Sequence, residues 1–325
     1  MKIRVWYEYY TVDEALSNRT CELLKRYGVS VCLAFPHGSM DPAHARLLRT
    51  WHEHGVECAL WPLLPDAQGY WPNERNADVF FDYVREIFDW AQNSGFPLPW
   101  LAVDLEPPLY MMESIKQARP VARIGALRRL AGENRDLGRF YGASRRFEQM
   151  NEFLHERGCK SLVPIPSHVI SDLVSGSTAL QDLLETPVST VNWDMVTAMI
   201  YTSMITGYSR GLIRPRDARW YLYAAMRDLK EKLWDRAGVS VGVTWTGKMG
   251  DEPYYASPQE LLPDIQAAKA ALIDDITIYN LEGILRSKQP EAWFEMLLEA
   301  EPLAPPRSHA VDAVRALGGL LSKVL

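Results

Sequence analysis

The sequence predicts an α/β fold, a single (β/α)8 TIM barrel. Three observations predict it. Short apolar runs alternate with longer helical patterns eight times, the order that builds a parallel sheet wrapped in helices. The length, 325 residues, fits one such barrel with modest insertions. The fourth run, Leu101-Ala102-Val103-Asp104-Leu105-Glu106-Pro107-Pro108, ends in two carboxylates, at the strand end where parallel barrels keep their chemistry.

The elements follow in order. The first run, Ile3–Tyr9, alternates so that Arg4, Trp6 and Glu8 share a face. The second, Val29–Phe35, follows Gly28, and the third, Glu57–Leu63, follows Gly55. Between them, Asp41-Pro42 reads as a helix cap followed by a first-turn proline. Asn76 is placed to cap the amphipathic run Ala77–Asn93, which Gly95 ends. In the fourth run, Trp100–Leu105, side chains two apart share a face, so Ala102, Asp104 and Glu106 oppose Leu101, Val103 and Leu105. Pro107 and Pro108 then stop the strand, because proline has no N–H for the ladder.

The connection from Pro107 to Lys160 has room for two helices, with a turn near Gly132–Gly142. The remaining runs are Ser161–Ile165, Met195–Tyr201, Val239–Trp245 and Ile276–Leu281. Ser257-Pro258-Gln259-Glu260 has a capping-box pattern ahead of the last helix–strand pair. Residues 1–300 are expected to form the barrel and residues 301–325 a tail. In the tail Pro302, Pro305 and Pro306 precede an amphipathic helix from about Ala310 to Val324. Such a helix suits a cover for the barrel or a dimer contact, so monomer and homodimer are both open.

Composition narrows the function. Hydrophobic residues make up 47% of the chain and charged residues 23%, an ordinary globular balance. The formal charge of −6, without a run of Lys or Arg, argues against nucleic acid. No apolar stretch reaches transmembrane length, and no membrane partner is expected. Lys2 and Arg4 lead into a segment too polar for a secretory signal. Cys21, Cys32, Cys58 and Cys159 are widely spaced, which favours buried thiols over a disulfide framework and a reduced, cytoplasmic setting. No Gly-rich phosphate loop is present, so no nucleotide cofactor is expected, and the lack of a serine nucleophile elbow counts against an α/β-hydrolase.

The acid pair carries the chemical reading. Glycoside cleavage needs a proton delivered to the leaving oxygen and stabilisation of a positively charged ring. A glutamic acid supplies the proton if a neighbouring carboxylate raises its pKa, and Asp104 and Glu106 have the types and spacing for that. The competing structural role has Asp104 capping the next segment and Glu106 paired with an arginine such as Arg123. Burying two acids without a task is costly, which favours the catalytic role. Glu8 is either a second acid across the mouth or the partner of an arginine such as Arg4.

Aromatic residues at strand ends, Trp61 and Trp245 with Tyr70, Trp71, Tyr254 and Tyr255, suit the apolar faces of a sugar. Trp51, Trp90, Trp220 and Trp234 fall in helical patterns and read as packing. His37 and His168 follow the second and fifth strands. With Asp104, Glu106 and Glu282 they raise a metal site, but the acids concentrate on one strand and no His-x-x-His spacing occurs. No metal is therefore expected, and each histidine reads as a loop hydrogen-bonding residue or a substrate contact.

Four segments carry a family resemblance. Asp104-Leu105-Glu106-Pro107-Pro108 resembles the end of the fourth-strand motif of the chitinase-like glycoside hydrolases, family 18. Asp194-Met195-Val196-Thr197-Ala198-Met199-Ile200-Tyr201 resembles their sixth strand, and Tyr279-Asn280-Leu281-Glu282-Gly283 their eighth. Val241-Gly242-Val243 falls where their seventh strand carries a glycine. The resemblance implies Glu106 as general acid and then base, with Asp104 orienting a substrate acetamido group whose oxygen attacks the anomeric carbon. It implies that Tyr201 hydrogen-bonds that oxygen and that Tyr279 stacks under the sugar, with Glu282 close by. Cleavage would retain configuration without a protein nucleophile.

The chain departs from the family pattern at Pro99 and Ala102, where the motif has two further acids. It departs again at Thr202, an acid in the family, and at Tyr279, a tryptophan there. The likeness is thus to a remote relative acting on a carbohydrate or glycoconjugate. Two other activities fit the same residues. One is a metal-dependent sugar isomerase or epimerase of barrel type, and the other a non-catalytic carbohydrate-binding barrel.

Overall fold

A computed structural model describes residues 1–112 and 135–324. Eight parallel strands close into a barrel in sequence order, β8 returning to pair with β1 through Lys2–Asp275, Arg4–Thr277 and Trp6–Tyr279. The strands are β1 (Lys2–Tyr7), β2 (Ser30–Pro36), β3 (Cys58–Leu63), β4 (Trp100–Ala102), β5 (Lys160–Pro166), β6 (Met195–Met199), β7 (Ala237–Gly242) and β8 (Asp275–Tyr279). Helices surround them, so the protein is a (β/α)8 barrel. All eight expected strands are present. Several end earlier than the apolar runs suggested: β1 at Tyr7, β4 at Ala102, β6 at Met199, β7 at Gly242 and β8 at Tyr279.

Alternation sorts the side chains into two cores. Trp6, Cys32, Ala34, Ala59, Trp61, Ala102 and Leu162 fill the barrel interior. Val5, Leu33, Leu101, Val103, Leu105, Val163, Val239 and Ile278 pack outward against the helices. The opposite directions expected for Ala102 and for Leu101, Val103 and Leu105 are therefore observed. At the amino-terminal end of the barrel, Arg4 is 2% exposed and donates from Nε to both Asp275 carboxylate oxygens, at 3.1 and 3.0 Å. Its guanidinium lies 4.6 Å from the Trp100 ring centre and 3.6 Å from Glu57. Arg4 is thus engaged far from Glu8, and the alternative of an Arg4–Glu8 bridge does not form.

Helix ends follow the sequence signals in part. Asp41 accepts from the His44 amide at 2.8 Å as the cap of Pro42–Glu53, and Gly28, Gly55 and Gly95 follow helices with left-handed backbones. Asn76 precedes Ala77–Ser94 without capping it through its side chain, which instead accepts from the Asn73 amide. Ser257 makes no side-chain cap either, while Glu260 reaches back to the Ala256 amide at 2.7 Å. Two helices are expected between Pro107 and Lys160; the described residues there include Leu137–Glu156, which runs through Gly142, where part of the turn is expected. Gly132 and Arg123 lie outside the described residues.

The helix His309–Val324 lies on the outside of the barrel against His168–Ser175 and Pro215–Leu233. Trp220 Nε1 donates to Asp312 at 2.7 Å, and Arg315 pairs with Asp228. It covers helices rather than either barrel opening. Trp51 is fully buried as expected, whereas Trp234 is 74% exposed and packs in no core.

Candidate active site

The carboxyl ends of the strands surround a cavity of about 310 Å3. Its wall includes Glu8, Asp104 and Glu106, the aromatic rings of Trp6, Trp61, Trp71, Tyr201 and Tyr279, and Lys248, Met249 and Glu252 from the loop after β7. The size and the mix of apolar wall with few polar groups suit a small-molecule site.

The acid pair stands just beyond the β4 ladder. The Val103 amide still donates to Leu162 at 2.8 Å, and the Leu105 amide then turns back to Val103 O at 3.0 Å. The pleat persists through this turn, so Asp104 and Glu106 keep the inward direction of Ala102. Asp104 is 3% exposed, and its Oδ1 has no hydrogen-bond partner. Burial pushes its carboxyl well above the usual range, and the Glu106 and Glu8 charges add to the effect. The Trp61 indole faces Asp104 and opposes that rise. Glu106 sits deep in the mouth yet keeps part of its surface open to the cavity. Burial pushes its carboxyl up to about 8, with the Glu8 carboxylate contributing.

Glu8 faces the pair and is held at three points. Tyr70 donates to Oε1 at 2.9 Å, and the Tyr279 hydroxyl donates to Oε2. Behind it, Glu282 Oε1 accepts from the Glu8 amide at 2.7 Å and from the Tyr9 amide. Burial raises the Glu8 carboxyl above its ordinary value against the lowering effect of the tyrosine hydroxyls. A second network lies on the floor. Trp6 Nε1 donates to Ser240 Oγ at 3.0 Å, and the Tyr201 hydroxyl is 3.0 Å from the same oxygen. The Tyr201 and Tyr279 ring centres are 5.6 Å apart, and those of Trp6 and Trp61 4.9 Å.

Glycine permits one of these contacts. A Cβ on Gly247 would stand 2.2 Å from the Tyr279 hydroxyl oxygen, so only hydrogen lets that hydroxyl reach Glu8. Gly247→Ala is therefore expected to displace Tyr279 and reduce turnover on the order of 10- to 100-fold, the usual cost of a misplaced site group. Melting and steady-state rates of the two proteins check this. A melting point close to wild type with the rate lost is the expected pattern.

The structure brings together Glu106, Asp104, Tyr201, Glu8, Trp61 and Tyr279. It does not bring four other expected residues to the cavity wall. His37 is exposed and its ring lies 5.0 Å from Tyr83. His168 begins a helix with Nε2 3.4 Å from Thr186 Oγ1, and burial lowers its pKa to about 4. Trp245 packs on Tyr254 at 5.2 Å and under Arg286 at 4.5 Å. Glu282, pushed up to about 7 by burial, supports Glu8 from behind instead of meeting a ligand. Each follows a strand end closely in sequence, but the chain has left the pleat by then and parity no longer aims the side chain.

Sequence reasoning missed Ser240, Lys248 and Glu252. Ser240 was readable, since it alternates with outward Val239 and Val241. Lys248 and Glu252 lie well past the end of β7, where no periodicity operates. Lys248 Nζ is 2.9 Å from Asp66 and 3.9 Å from the Tyr70 ring centre, joining the loops after β7 and β3 over the mouth. Among the described residues, no group of three His, Cys, Asp or Glu side chains is arranged to hold a metal ion, and no helix is long and apolar enough to cross a membrane.

Fold and site together define a (β/α)8 barrel with an acidic, aromatic-walled mouth. No protein-family model matches the sequence, and no curated protein matches it. Among solved structures it is similar to the glycoside hydrolase domain of PgaB (BpsB) from Bordetella bronchiseptica. That similarity has 12% identity and a TM-score of 0.55, over 91% of this chain and 99% of that one. It is also similar to a β-glucosidase from Thermotoga maritima, with 13% identity and a TM-score of 0.52, over 83% of this chain and 78% of that one. An L-ribulose 3-epimerase superposes with 12% identity and a TM-score of 0.48, over 100% of this chain and 96% of that one. Likeness at these identities is one of fold, so function rests on the site.

Proposed function

We propose that the protein is a glycoside hydrolase with Glu106 as proton donor. One observation carries this reading: the Glu106 carboxyl, which burial pushes upward, opens into an aromatic-walled cavity with a second acid beside it. A general acid must be protonated when the leaving oxygen departs, and this environment keeps it so at neutral pH. The aromatic rings offer stacking faces for a sugar, and buried Asp104 has an oxygen free for a substrate donor.

The finer reading follows the family 18 resemblance. Asp104 holds the N–H of a 2-acetamido group, the acetamido oxygen attacks the anomeric carbon, and Glu106 protonates the leaving oxygen. The Tyr201 hydroxyl stabilises the resulting oxazolinium. Water then opens it, giving its proton to the Glu106 carboxylate, and configuration is retained. Burial, with Glu8 adding to it, favours the protonated form of the pair, while Trp61 and Tyr279 contact the sugar.

Hydrolysis of a panel of aryl glycosides, with and without a 2-acetamido group, tests both levels. Cleavage of any member supports the hydrolase, and a strict acetamido requirement supports the substrate-assisted route. The pH profile is a further prediction. Activity should fall as pH rises through about 8, where Glu106 loses its proton. A rate still climbing beyond pH 9, on the order of one unit above that value, would assign the acid elsewhere.

A further inference from the structure

Glu252 has no role in the chemistry above, yet it is built into the cavity wall. It is 6% exposed, and its Oε1 accepts from the Met249 amide at 2.8 Å. Its Oε2 is buried and has no partner. An orphaned carboxylate oxygen in such a place costs free energy unless a ligand completes it. Its surroundings define what that ligand is. Glu252 shares the wall with Glu8, Asp104 and Glu106, and its charge reaches Glu8. Among the described residues the one cation on the wall is Lys248, already paired with Asp66 at 2.9 Å. The wall therefore has no unpaired cation among the described residues, and Glu252 has one acceptor site unfilled.

We propose that Glu252 forms a subsite for a protonated primary amine, so that the preferred ligand is a sugar bearing a free amino group. An ammonium donates up to three hydrogen bonds and brings a positive charge to the Glu252 carboxylate. A hydroxyl in the same place donates one bond without that charge. An N-acetylated nitrogen offers one donor without charge. Glu252 comes from the loop after β7, whereas Asp104 follows β4 and Tyr201 follows β6, so the amine subsite adds a recognition group to the hydrolase reading, on which it depends only for what happens after binding. Glu252 is a specificity residue here and takes no part in bond cleavage.

The test is binding, measured on the full chain carrying Glu106→Gln so that nothing is consumed. Glucosamine and glucose are titrated by NMR at about pH 6, where an amine of this type carries its proton. Glucosamine is expected to bind at least about tenfold more tightly than glucose, the gain typical of one charge-assisted hydrogen bond. Adding Glu252→Gln retains an oxygen for the Met249 amide and should bring the two ligands within about twofold of one another. Equal binding of the two before that second change overturns the proposal, and this comparison does not require the second variant to fold. Preference that survives Glu252→Gln overturns the assignment to this residue. Amine preference in a protein that cleaves no glycoside would sink the hydrolase reading alone. Glycoside cleavage without amine preference would sink only this one.

Discussion

Glu106→Gln is expected to abolish cleavage of every glycoside the wild-type protein hydrolyses, with kcat lower by about 100- to 10,000-fold. Glutamine has nearly the same shape but no proton to give, so the cavity and its sugar contacts persist. Binding of an intact substrate should change little, which separates the loss of an acid from the loss of a site. The same substitution should alter stability in a defined direction. Burial raises this carboxyl from 4.5 to about 8, so the folded chain holds the proton more tightly than the unfolded chain does. That contribution is complete below pH 4.5 and is lost as pH rises through about 8. The variant does not titrate there, and its melting point should fall less between pH 5 and 9 than that of the wild type. Activity that survives Glu106→Gln, or a wild-type melting point that rises with pH across that interval, would remove this group from its assigned role.

Arg4→Met should give the largest loss of stability outside the main apolar cores. It leaves Asp275, 5% exposed, without the guanidinium that takes both of its oxygens. Removing one partner of a buried ion pair costs about 3–5 kcal/mol, because the remaining charge has no water to turn to. For a chain of this size, melting should drop by roughly 4–8 °C. The double change Arg4→Met with Asp275→Asn should recover part of the loss, since no isolated charge then remains. If the single variant melts with the wild type, or the double variant melts below the single, the ion pair is not what holds that end of the barrel.

The fold was legible because a buried parallel strand is a dense apolar run and because turns and caps separate the runs. Positions within strands were legible for the same geometric reason. Trp6, Ala102 and Ser240 point inward by alternation alone, and Asp104 and Glu106 inherit the direction of Ala102 one and two pleats on. Legibility stopped where the ladder stops. Trp245 and Glu282 were assigned to the mouth because they sit close after strands, yet one packs beneath Arg286 and the other turns behind Glu8. His37 and His168 were misplaced in the same way. Glu252 and Lys248 reach the cavity from a loop whose path depends on contacts with other loops, such as Lys248 with Asp66. No local pattern encodes such a path, so composition could suggest a sugar site but not its complete wall.

The Lys248–Asp66 contact spans the full width of the opening, since β3 and β7 are diametrically placed in an eight-membered ring. Asp66 is well exposed, so the pair itself contributes at most about 1 kcal/mol, and the ammonium resting on Tyr70 adds a similar amount. A crossbar of about 1–2 kcal/mol is undone in roughly one molecule in five to one in thirty at any moment. The doorway thus stands barred but never bolted. Salt should loosen it, and visitors of different bulk should be admitted at rates that diverge most when ionic strength is low.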